Sequence, residues 1–179
     1  MLSRFHGNTR QISLCESIAM ITKIFRFTYP VFLLLMALVV GAASYQTVSI
    51  APYWKEDISL FRNYNWGINY FPILSPLMTV LWLVLLVTGF KVKMQKKAIL
   101  YVAHFFFLLI IAVTFAAFAP FLLTYMGHPE VNISEHELKA MLNTWIKWDS
   151  VRQVIGLISF FLFIYCYGKV YGTVIKAGD

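Results

Sequence analysis

Charge is what this chain has least of. Only 13% of its 179 residues are Asp, Glu, Lys or Arg, and acids are the scarcer sign, 8 against 15 basic residues. Soluble domains carry about a quarter charged residues. With 60% of the chain hydrophobic, an ordinary water-facing surface is excluded and a bilayer has to cover part of it. Cysteine is nearly missing as well: Cys15 and Cys166 have no paired spacing, which excludes a disulfide framework and a thiolate metal site. The chain has no Gly-rich phosphate loop, no His-Glu-x-x-His pair and no nucleophile elbow, so the common nucleotide and hydrolase chemistries find no foothold. The net charge of +7 does not point to nucleic acid, because the basic residues flank apolar runs instead of forming a stripe among exposed aromatics. The expected partner is the lipid bilayer, with no nucleic acid, no metal and no cofactor.

What is there is apolar length. Crossing a ~30 Å hydrocarbon core takes roughly 20 mostly apolar residues in a helix, and four stretches qualify, at about 29–49, 73–90, 98–125 and 154–175. Backbone groups in lipid find no outside partner, and alternating polarity of the β-barrel kind is missing, so helices are the expected form. Residues 1–19 are too polar for a secretory signal and read as a flexible leader of little function; Met20 opens a stretch that would itself serve as a beginning. Residues 20–179 read as one all-α domain, a four-helix up-down transmembrane bundle with an outer cap containing a short amphipathic helix.

Direction follows from the basic residues. With the N-terminus inside, ten of them (Arg4, Arg10, Lys23, Arg26, Lys91, Lys93, Lys96, Lys97, Lys169 and Lys176) are cytoplasmic and five are not. Six of the eight acids fall on the other side. The positive-inside bias thus puts both termini in the cytoplasm, most simply of a bacterial inner membrane. Small residues at helical spacing (Ala37 and Gly41; Ala112, Ala116 and Ala119; Gly168 and Gly172) are expected to be the seams between helices.

The outward loops carry the interest. "APYWKEDISLFRNYNWGINYFP" (51–72) is aromatic enough to lie in the interface as a belt or to fold over the bundle as a lid. In the second loop, Ser134 followed by Glu137 is a capping box. Behind it Leu138, Met141, Leu142 and Trp145 make one apolar helical stripe, expected to lie on the surface before turning into the fourth span. Asp149 and Arg152 stand three apart on one helix face and can pair. With Trp54, Trp145 and Gln46 they are the candidate substrate-binding residues at a shallow outer pocket; ordinary interfacial anchoring accounts for the same residues. His104 is an ionisable group inside the third span and so a functional candidate by default, the alternative being a neutral imidazole bonded to a neighbouring helix. His128 and His136 match no metal-site spacing.

The segments "SYQTVSIAPYW", "FPILSPLMTVLWLVLL", "KVKMQKK", "FAPFLLTYM" and "TWIKWDSVRQVIGL" resemble a family of small four-helix membrane proteins that includes the fungal anthrone oxygenases, and are most similar to its bacterial-type members, over roughly residues 29–170. Characterised relatives oxygenate a polycyclic aromatic with molecular oxygen and no bound metal or flavin. The resemblance implies that Trp54, Trp145 and Arg152 line a cavity for a flat lipophilic molecule; it carries over no catalytic residue. Two functions stay open: binding or oxygenating a small lipophilic aromatic compound at an outer cavity, or docking a membrane protein or a second copy of the chain through the aromatic outer loops.

Overall fold

Lipid offers backbone N–H and C=O groups no partner but each other, and the described chain is helical almost throughout. The computed structural model describes residues 5–57, 60, 71–92, 97–118 and 134–175, with side chains described over 16–57, 60, 73–92, 97–117 and 134–169. Helix α1 is Phe5–Tyr45 and runs back through the stretch set apart by sequence as a leader. A π-helical turn, Gln46–Ile50, continues it into α2, Ala51–Glu56, with the Ala51 N–H bonded to Gln46 O. Pro52 sits in the first turn of α2, where a missing N–H costs nothing. Helix α3 is Phe71–Lys91. Helix α4, Lys97–Val113, also ends in a π-helical turn, Thr114–Phe118. Helix α5 is Glu135–Ile175. Four of these helices are long and apolar enough to cross a membrane, which makes the protein a multi-pass, all-α membrane bundle.

Helix α1 packs against α3, α4 against α5, and α1 against α5. Among the described residues the α3 and α4 backbones stand apart, and side chains close the gap only toward the end where Lys91 and Lys97 lie, the basic end. There Trp82 stacks on Phe107 with ring centroids 5.1 Å apart, Phe90 meets Tyr101 at 5.4 Å, and Lys97 Nζ donates to Phe90 O at 2.7 Å.

Among the described residues, two apolar clusters hold the bundle. The larger, toward the basic end, is ring-rich: Phe25, Tyr29, Phe32, Trp82, Phe107 and Phe163 are all buried. Its pairs are mostly edge-to-face, as the ring quadrupole prefers, each worth about 0.5–1.5 kcal/mol beyond burial. The Tyr29 hydroxyl donates to Phe163 O at 3.0 Å and Ser159 Oγ donates to Ala103 O at 3.2 Å, tying α1 and α4 to α5. The smaller cluster, at the opposite or capped end, joins Ala51 and Trp54 of α2 to Leu138, Leu142 and Trp145 of α5.

Three expectations meet the structure here. The capping box forms: Ser134 Oγ donates to Glu137 Oε2 at 2.8 Å, and the Ser134 and Glu137 backbone N–H groups donate to the partner side chain at 3.2 and 3.3 Å. The apolar stripe behind it is buried, but it does not turn before the fourth span. Helix α5 is one continuous rod of 41 residues, about 60 Å at 1.5 Å per residue, because no proline or glycine precedes Gly156 to break it. The small-residue seams are corrected. Ala37, Gly41, Ala112, Ala116 and Gly168 are exposed, and Gly41 and Gly168 have nothing near where a Cβ would stand. Rings fill the true seams, and the close glycine approaches are Gly89, where a Cβ would meet Leu100 Cδ2 at 3.3 Å, and Gly156, at 3.6 Å from Val40. Ala119, Pro120, His128, Asn132 and most of the first aromatic loop lie outside the described residues, and Gly172 lies beyond those whose surroundings are described.

Candidate functional site: a polar layer above an apolar cavity

The buried faces of α1–α2 and α5 can be read as two stripes spaced by threes and fours. On α1–α2 the stripe passes through Phe32, Met36, Val40, Ala43, Thr47, Ala51 and Trp54; on α5 it passes, in the opposite direction, through Leu142, Trp145, Asp149, Gln153, Gly156, Ser159 and Phe163. Where the two stripes turn polar they meet. Asp149, only 1% exposed, is the centre of the layer. The Thr47 hydroxyl donates to its Oδ2, Arg152 Nη2 donates to its Oδ1, and Gln153 Nε2 approaches Oδ1 at 3.5 Å. Ser44 Oγ donates to Gln153 Oε1 at 3.3 Å and ties the amide back to α1. A carboxylate this buried persists because it is paired and hydrogen-bonded; removing one partner of such a pair costs about 3–5 kcal/mol when both are deeply buried.

Directly below this layer, toward the basic end, lies a cavity of ≈ 490 Å³ walled by all four spanning helices. Its size falls in the usual range of small-molecule sites, roughly 300–1,000 Å³. Met36, Val40 and Ala43 of α1 face Phe107, Ile110 and Ile111 of α4, and Gly156 leaves room on α5. Arg152 and Gln153 form its polar end. The Thr79 and Thr114 hydroxyls at its walls donate to their own helices, to Ser75 O at 2.9 Å and Ile110 O at 2.7 Å, leaving oxygen lone pairs for the interior. On the α3–α4 side the wall is incomplete: Val80 and Phe115 line the cavity yet are 55% and 70% exposed. Pro76 in α3 and the π-helical turn of α4 both fall at this opening. Such turns recur at functional sites because they put an extra residue into the helix.

The sequence candidates separate on this geometry. Arg152 lines the cavity, and Asp149 orients it from behind. Trp54 and Trp145 pack on each other, centroids 5.7 Å apart, in the small apolar cluster above the polar layer; they roof the site and are not among its lining residues. Gln46 begins the π-helical turn, half-buried and outside the lining. His104 is buried beyond the cavity's opposite end, with ring centroids 6.1 Å from Trp82 and 5.2 Å from Phe163. Neither of its nitrogens, nor Trp82 Nε1, has a hydrogen-bond partner among the described residues, a state that costs about 1–3 kcal/mol per group. The expected bond from His104 to a neighbouring helix is therefore not found there. Sequence reasoning missed the depth of the cavity and the inward aim of Gln153 and Gly156. The stripe that began at Leu138, continued at the same spacing, would have found both.

Well ahead of the apolar run that starts at Val154, Glu137 has its carboxyl held below the ordinary value, first by the Ser134 hydroxyl and then by the Ser134 N–H. No group of three or more His, Cys, Asp and Glu side chains that could hold a metal ion occurs among the described residues. No family model, curated protein or solved structure matches the chain.

Proposed function

We propose that the protein binds a small lipophilic, aromatic compound in the cavity between its four helices, with a hydrogen-bond-accepting group of that compound at Arg152. The observation that carries the reading is the pairing of an apolar ≈ 490 Å³ cavity with one guanidinium at its polar end. A guanidinium has five N–H donors in a fixed fork. Asp149 engages Nη2 and fixes its direction, and a guanidinium held at the end of an apolar cavity suits a carbonyl, phenolate or carboxylate. The positive-inside bias puts both termini in the cytoplasm, of a bacterial cell on the family resemblance, and the cavity's polar end toward the outer leaflet. The gap at Val80 and Phe115 then gives a bilayer-dissolved compound a lateral path. Oxygenation of that compound is the reaction implied by the resemblance to anthrone oxygenases, and it belongs to the same proposal: an anthrone and dioxygen would give the anthraquinone and water.

The test is native mass spectrometry of the purified protein, with extraction and identification of whatever co-purifies, repeated on Arg152→Ala. A defined small molecule present in the wild type and lost in the variant is the expected result. Bulk lipid alone, the same in both, would overturn the reading in favour of docking through the aromatic loops.

A further inference from the structure

Resting on the ligand reading above, we infer that Trp82 and His104 form a second polar station at the far end of the cavity, and that the ligand carries a hydroxyl there. Met78 and Phe107 line the cavity end remote from Arg152. Trp82 follows Met78 by four residues on α3 and His104 precedes Phe107 by three on α4, so each continues the same helix face one turn further toward the basic end. The two rings adjoin, and their three nitrogens are the only buried side-chain polar atoms without a partner among the described residues. Buried polar groups in folded proteins are almost always satisfied, and an orphan calls for a physical reason.

The chemistry of the pair selects its guest. The Trp82 indole has one N–H and no acceptor, while a neutral imidazole has one N–H and one lone pair. A carbonyl satisfies only donors. It serves both side chains only when the imidazole turns its N–H inward; a hydroxyl does so in either tautomer, its oxygen accepting from Trp82 Nε1 while its proton goes to a bare imidazole nitrogen, or accepting from both N–H groups. Phe107 lines the cavity and stacks on Trp82, so its ring is what the ligand must pass to reach the pair. From Phe107 to Phe115 the cavity wall rises about 12 Å along α4, comparable to a fused two-ring acid with its acid group at Arg152.

The experiment compares a naphthoic acid with its derivative hydroxylated on the far ring, each titrated into the protein in lipid nanodiscs and corrected for empty discs. The hydroxy acid is expected to bind the wild type roughly tenfold more tightly, the worth of one good hydrogen bond. In Trp82→Phe and in His104→Leu the ratio is expected to fall to about one, with melting curves in the nanodisc showing that each variant folds. Equal affinities in the wild type, or a preference that survives both substitutions, would overturn the inference and leave the pair to adventitious water. If neither acid binds the wild type, the cavity reading itself falls and this inference falls with it.

Discussion

The two ends of the α1–α5 pair are built from the same helices and do opposite things. Toward the basic end, Phe25, Tyr29, Phe32 and Phe163 interlock ring against ring; toward the capped end, Ala43, Gly156, Thr47 and Asp149 take the equivalent stripe positions, and a cavity opens beneath them. Ring-filled packing is where stability resides in lipid, because helix association there rests on close contact and not on the hydrophobic effect. Small and polar residues give up such contact, and what they gain is volume and a positioned charge. The lesson is a division of labour along one helix pair, with a rigid half holding an open half in register.

Substitutions can break that division. The largest effect is expected from Phe163→Ala, which removes a ring touching Tyr29, Phe32 and His104. It should lower stability by about 3 kcal/mol in a denaturation series and spare the affinity for a cavity ligand that does not reach His104, such as the unhydroxylated naphthoic acid, in the fraction that remains folded. Thr47→Val keeps the shape but takes a donor from the buried Asp149 carboxylate. A loss of about 1.5–3 kcal/mol is expected, with weaker ligand binding because Arg152 loses its fixed support; unchanged binding would detach the polar layer from the site.

A matched pair of glycines sharpens the comparison. Gly89→Ala puts a methyl 3.3 Å from the fully buried Leu100 and is expected to destabilise by roughly 1 kcal/mol, as overpacking does. Gly156→Ala meets only ordinary contacts and is expected to be neutral, or stabilising by up to about 1 kcal/mol through helix propensity. Melting curves for the two variants should therefore move apart. The smallest effect concerns the far end of α5. Because the folded-state pKa of Glu137 is lowered, its contribution is present above the unfolded carboxylate value and lost as pH falls through the folded one. The protection of amides at the first turn of α5, taken relative to their intrinsic exchange rates, should accordingly fall in acid, and Ser134→Ala should weaken that pH dependence.

Much of this architecture is legible in the residues alone. Apolar runs long enough to span, a basic imbalance and a capping box are local or compositional signals, and each depends on contacts within a few residues or on the bilayer itself. Four spanning helices, the Ser134–Glu137 cap and the Asp149–Arg152 pair all follow from them, whereas the extensions of α1 and α5 to 41 residues each do not. Tertiary structure alone decided which faces meet. It turned Ala37 and Gly41 outward, set Thr47 of α1 against Asp149 of α5 across a separation of 102 residues, and left α3 and α4 apart so that a cavity remained. In lipid an apolar side chain gains little by facing inward or outward. The apolar pattern that would mark the core of a soluble helix is therefore erased, and only the fit of one helix against another selects the buried face.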